Sequence, residues 1–172
     1  MKIVALLALV VLASMPIIGC TSVRVQPVDG SLGIKLVCIE FNDRVRVDDF
    51  VSVVRDGFDR HGISTKVFTG KPLEGCEYTL TYTARRGWDF APYLSDAELR
   101  LDHKGEKVGF AEYHLMGKGG LSVMKWQGTK TKMTPVIDEL LEQYQVPKDI
   151  AQSKSETEVT NDDEVQNETQ ER

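Results

Sequence analysis

The strongest pattern in the chain is a period of two. Between Glu77 and Arg86, Tyr78, Leu80, Tyr82 and Ala84 alternate with Thr79, Thr81, Thr83 and Arg85. Successive side chains of a strand point to opposite faces, so this spacing predicts a strand with one apolar and one polar side. Ser95 to Leu101 repeats it, with Ala97, Leu99 and Leu101 opposing Asp96, Glu98 and Arg100. Asp102 to Glu106 contains Gly105 and reads as a hairpin loop. Lys107 to Leu115 then returns with Ala111, Tyr113 and Leu115 on one side, and its blurred start predicts a bulge near Gly109. Such alternation means a sheet covered on one face only.

Two stretches switch to helical spacing. Phe50, Val51, Val54 and Phe58 recur at three and four residues behind Asp48-Asp49, and His61-Gly62 follows. This predicts a helix capped by Asp48 or Asp49 and closed by Gly62. Ile137, Leu140, Leu141 and Tyr144 form a second stripe behind Thr134-Pro135, which reads as a cap and a first-turn proline. Ile34 to Phe41 and Ile63 to Phe68 are β-rich, and Leu121 to Trp126 reads as a further short strand. The order is β-α-β, a run of antiparallel strands, then a helix. It predicts one α/β domain over 34–145, a two-layer sandwich of a mixed, mostly antiparallel sheet with two helices on one face.

Composition changes the picture at the ends. Lys2 precedes an unbroken apolar run from Ile3 to Ala13, followed by Ser14, Pro16 and Gly19. Residues 1–19 therefore read as a signal peptide, since the run falls short of the roughly 20 residues a spanning helix needs. Residues 20–33, punctuated by Pro27, Gly30 and Gly33, read as a tether reaching roughly 40 Å when extended. Residues 146–172 carry three basic and eight acidic side chains and no aromatic one, which predicts a disordered acidic tail. The whole chain has a net charge of −5, so the domain itself is near neutral. Nucleic acid is not an expected partner.

Ile17-Ile18-Gly19-Cys20 resembles the lipobox of bacterial lipoproteins. The resemblance implies cleavage before Cys20, a diacylglyceryl thioether on its sulfur and a further acyl chain such as palmitate on the new amine. Two or three chains hold a protein stably at a membrane. Such lipoproteins are retained in the inner membrane when Asp follows the cysteine. Thr21-Ser22 follows here, which implies the periplasmic face of the outer membrane. With Cys20 acylated, Cys38 and Cys76 remain as an even pair in an oxidising compartment. The expectation is a Cys38–Cys76 disulfide, the alternative being two buried thiols.

A wider resemblance is carried by Trp88-Asp89 with Tyr93-Leu94, Ala97 to Leu101, Gly109 with Ala111-Glu112-Tyr113, Gly119-Gly120-Leu121, Lys125-Trp126 with Thr129, and Pro135 to Leu141. Together these are similar to an uncharacterised family of small Gram-negative lipoproteins, and the element order is broadly similar to the amino-terminal domain of TolB. Neither resemblance supplies an activity or a site.

Arg85-Arg86-Gly87-Trp88-Asp89-Phe90-Ala91-Pro92-Tyr93 is the most distinctive segment. Arg, Trp and Tyr dominate protein interfaces, which makes Arg85, Arg86, Trp88, Phe90 and Tyr93 a candidate interaction site. The competing reading has the rings cap one end of the core. Gly117-Lys118-Gly119-Gly120 does not match a phosphate loop, and Lys125, Lys130 and Lys132 are expected in a solvated basic loop. His61, His103 and His114 show no metal-ligand spacing, and no serine lies in a nucleophile motif. The expectation is a non-catalytic protein without cofactor or metal, anchored to the membrane by lipid and acting through an envelope partner. The alternative is a small module holding an apolar or lipid-like ligand for an envelope transporter.

Overall fold

The computed structural model describes residues 21–116 and 123–144. Cys20, the glycine-rich stretch after Met116 and the acidic tail lie outside the described residues. Six strands form one mixed sheet: β1 (Thr21–Gln26), β2 (Leu36–Glu40), β3 (Ser64–Phe68), β4 (Tyr78–Asp89), β5 (Ala91–His103) and β6 (Glu106–Leu115). Their spatial order is β1-β6-β5-β4-β2-β3. β2 runs parallel to both β3 and β4, and the other pairs are antiparallel. Two helices, α1 (Phe50–Arg60) and α2 (Thr129–Leu140), pack on each other and complete the second layer of the predicted α/β fold.

The period of two explains the core. Leu80, Tyr82 and Ala84 of β4 are buried with Leu99 and Leu101 of β5 and Ala111 and Tyr113 of β6. Against them lie Phe50, Val54 and Phe58 of α1 and Met133, Val136, Ile137 and Leu140 of α2. Gly57 allows the helices to approach, because a Cβ there would sit 2.6 Å from Ile137 Cγ2. On the far face of β2, Cys38 is fully buried beneath its disulfide to Cys76, which ties β2 to the loop before β4.

Four expectations are corrected. The segment 20–33 is not a free tether. Thr21–Gln26 pairs with β6, Val28 is fully buried, and Val28 N–H donates to the Leu140 carbonyl at 2.9 Å. Gly30 N–H also donates to Gln143 Oε1 at 3.0 Å. As an edge strand β1 exposes much of its length, so its apolar signal is weak and its prolines and glycines dominate the reading. Second, α2 begins five residues before Thr134, leaving Pro135 inside the helix. Pro135 and Thr131, whose carbonyl loses its usual helical donor, are both exposed. Third, Val123–Trp126 is a 3-10 turn rather than a strand. Fourth, Asp49 occupies the α1 cap position without a capping bond from its side chain. It accepts instead from Thr129 Oγ1 at 2.8 Å and joins the starts of the two helices.

The sheet carries two irregularities. One lies between Leu101 and Asp102, opposite Val108, next to the glycine where a bulge is expected. Gly109 is required there for a second reason, since a Cβ would meet Val28 Cγ2 at 2.5 Å. The other lies between Arg85 and Arg86, where Ser95 is left without a ladder partner and its hydroxyl donates to the Arg85 carbonyl at 3.1 Å. A bulge bends and twists its strand, so the last residues of the β4–β5 hairpin leave the plane set by the rest of the sheet.

Candidate interaction site

The distinctive segment forms the end of the β4–β5 hairpin. Trp88 pairs with Pro92 and Asp89 with Ala91, which leaves Phe90 alone at the tip. Phe90 has φ of 57°, a left-handed conformation that glycine adopts freely and that other L-residues adopt at a cost of about 1–2 kcal/mol. A large ring therefore stands where folding alone favours glycine. Trp88 and Phe90 are 74 % and 86 % exposed, the two barest large apolar side chains among the described residues. Arg85 and Arg86 are exposed on the same strand.

Tyr93 does something different. Its ring lies over Gly87, where a Cβ would meet it at 2.5 Å, and it is half-buried. Lys125 Nζ stands 5.0 Å from the ring centroid and Lys132 Nζ 5.6 Å, both within cation–π range. The candidate segment thus divides: Tyr93 belongs to the support, while Trp88 and Phe90 are displayed.

The support is built largely from residues expected in a solvated loop. Lys125 and Lys132 are buried; only Lys130 is exposed. Lys125 Nζ donates to Asp89 Oδ2, and that hydrogen bond raises the lysine's pKa above its ordinary value. Trp126 Nε1 donates to the Asp89 carbonyl at 2.9 Å. Lys132 Nζ donates to the carbonyls of Leu94 at 2.9 Å and Lys125 at 2.7 Å, and burial lowers its pKa. Both the side chain and the carbonyl of Asp89 are held from the turn before α2, and Lys132 of α2 ties that turn to Leu94 of the same hairpin. The signal available in the sequence was Asp89 itself, a carboxylate between two rings with no cation within two residues.

Beside this support lies an open cleft of about 350 Å³, with Arg46, Asp48, Asp49, Arg86 and Trp126 among its walls. Elsewhere each histidine has an ordinary neighbour. His61 bridges the Tyr144 carbonyl at 2.6 Å and Asp138 Oδ1 at 3.0 Å. His103 stacks on Tyr78 at 4.6 Å between centroids. His114 Nδ1 pairs with Asp96, whose pKa falls because hydrogen bonds from Ser95 and His114 outweigh its burial. Ser22 pairs with His114 across the ladder, so Ser22, His114 and Asp96 share one row. The hydroxyl makes no hydrogen bond to the imidazole among the described contacts, and the open cleft of about 300 Å³ beside Ser22 and His114 is otherwise walled by Arg24, Glu112 and Met116. A triad needs a base in contact with its nucleophile and donors for the oxyanion. Among the described residues no three metal-ligating side chains converge, and no helix is long and apolar enough to cross a membrane.

The space between sheet and helices is filled. Val37, Ile39, Phe50, Leu80, Leu99 and Ile137, all without solvent exposure, belong to one continuous cluster. A ligand held between the layers would have to displace them.

No protein-family model matches the chain, and no curated protein matches it significantly. Among solved structures it is similar to the PelC dodecamer from Paraburkholderia phytofirmans, with 15% identity and a TM-score of 0.49 over 72% of this chain and 98% of that one. A point variant of that dodecamer in another crystal form gives 13% identity and 0.48, over 73% and 98%. A PDZ domain protein from Parabacteroides distasonis gives 9% identity and 0.37, over 70% of this chain and 36% of that one. Likeness this distant carries nothing about activity, partners or assembly.

Proposed function

We propose that the chain is a non-catalytic, lipid-anchored protein of the bacterial envelope. It is held at the periplasmic face of the outer membrane through Cys20 and works by contact with another envelope component. The observation that carries the contact reading is the β4–β5 tip. Two large rings are held out in water, one of them at a left-handed position that favours glycine, on a hairpin held from behind by Lys125, Trp126 and Lys132. Exposed rings on a rigid support bind at low entropic cost, because little is left to order on contact. The signal-like amino terminus and the cysteine usage supply the location.

The test is photo-crosslinking in growing cells. A photoreactive residue replaces Phe90 at the tip, and a second one replaces Lys104, exposed at the β5–β6 turn on the opposite end of the sheet. Capture of an envelope component from position 90 and not from 104 is expected. Equal capture from both positions, or none from either, contradicts the proposal.

A further inference from the structure

We infer that the β4–β5 tip is a second membrane contact, lodged among the headgroups of an anionic phospholipid surface beside the N-terminal lipid. This rests on the Cys20 anchor proposed above and names the partner of the same hairpin.

Strand register carries the inference. Ser22 pairs with His114, His114 with Asp96, and Asp96 with Arg85, so these four residues form one row across β1, β6, β5 and β4. From that row β1 runs back through Thr21 toward Cys20, and β4 runs forward to Asp89 and Phe90, in the same direction. At about 3.3 Å per strand residue, Thr21, which is bonded to Cys20, lies roughly 3 Å beyond the row, and Asp89 lies roughly 13 Å along β4 from it. The two are separated laterally by two strand spacings from β1 to β5, roughly 10 Å. Because β1 is built into the sheet, only the bond from Thr21 to Cys20 intervenes between anchor and fold. A short anchor at that end holds the domain with this edge toward the lipid. The tip then lies at the same end of the sheet as Thr21, to which the acylated residue is bonded, and its rings can reach the interface where Trp side chains settle.

Chemistry at the tip agrees. Trp88 and Phe90 provide the apolar surface that interfacial contacts bury. Arg85 and Arg86 are exposed beside them, and the only carboxylate of the tip, Asp89, is neutralised by Lys125. Asp96 faces Arg85 across the ladder, so Arg86 is the cation left at the tip, and it suits an anionic headgroup. The opposite end of the sheet, at the Lys104-Gly105 turn, offers no comparable rings.

The experiment uses the mature protein extracted from its own envelope and reconstituted into vesicles of phosphatidylethanolamine and phosphatidylglycerol containing brominated lipid. Trp88→Ala supplies the Trp126 background. The expected result is blue-shifted Trp88 emission, quenched by bromine at shallow acyl positions, with the quenching lost in Trp88→Ala and reduced in Phe90→Gly and Arg86→Gln. Both rings are exposed, so these variants are expected to fold, and circular dichroism of each checks it. Water-like, unquenched Trp88 emission in protein whose intact mass includes the lipid overturns the inference and leaves the anchor standing. A mass without lipid on Cys20 overturns the anchor itself. Capture of a protein rather than phospholipid from position 90 in cells also overturns the inference.

Discussion

Gly57 tests how the two helices are held. It is buried in α1, and an added Cβ would lie 2.6 Å from Ile137 Cγ2, 3.0 Å from Cδ1 and 3.3 Å from Cβ. Two opposing terms decide the effect of Gly57→Ala. Replacing glycine by alanine within a helix favours folding by up to about 1 kcal/mol. Forcing a methyl into a filled interface costs about 1–3 kcal/mol. Ile137 has no free space to retreat into, since it is fully buried among Phe58, Val136 and Leu140 of the same cluster. The steric term should win, with a net loss of about 1–2 kcal/mol, or roughly 3–6 °C in Tm for a domain of this size. Urea unfolding followed by far-ultraviolet circular dichroism measures it. The decisive step is the same substitution in an Ile137→Ala background, which itself costs about 2–5 kcal/mol but removes the two nearest atoms. There Gly57→Ala should stabilise by up to about 1 kcal/mol. A change of sign isolates the contact. An equal loss in both backgrounds would refute the reasoning and place the cost elsewhere in α1.

Other outcomes follow from named contacts. Removing the Cys38–Cys76 bridge, which spans 38 residues, should cost about 4 kcal/mol by loop entropy. Reductant should lower the urea midpoint accordingly, and free thiols in non-reducing mass mapping would contradict the pairing. Asp138 is held below its ordinary pKa: burial pushes it up, but Arg60 and His61 outweigh this. A carboxylate with a depressed folded pKa stabilises the fold above its unfolded value, near 3.8, and loses that contribution as pH falls through the folded one. Asp138→Asn should therefore be less stable than wild type at neutral pH, with the difference closing in acid; a gap independent of pH would contradict the assignment. Phe90→Gly should not destabilise the fold and should add up to about 1 kcal/mol by relieving a left-handed phenylalanine. A clear loss of stability would show that the ring packs rather than projects.

The parts of the fold that were readable were those with one buried face. In β4 and β5 the alternation of Leu80, Tyr82 and Ala84 with threonines is imposed by a sheet with water on one side. The α1 stripe ending at His61-Gly62 is imposed by the same core. Segments whose burial comes from particular partners were not readable. Val28 is buried because Gly109 and Leu140 receive it, a tertiary fact without local periodicity. β1 is half exposed, so its pairing leaves little apolar trace. Pro135 misdirected the start of α2 because it sits inside the helix, on its exposed side, rather than in the first turn where proline is usual. At the candidate site, the composition of residues 85–93 identified the hairpin but not the separate roles within it. Lysine is rarely buried, so nothing in Lys125 or Lys132 announced that they close on Asp89, Leu94 and Tyr93 from behind.

The orientation of the domain, its location and the use of its tip all depend on Cys20. The most direct measurement is metabolic labelling with an alkyne-bearing fatty acid, followed by intact mass of the purified protein and comparison with Cys20→Ala. The predicted result is a mature chain beginning at Cys20, carrying acyl chains and found with the outer membrane, with label absent from Cys20→Ala. Unchanged labelling of Cys20→Ala, or a wild-type mass that includes residues 1–19 and no lipid, would contradict it.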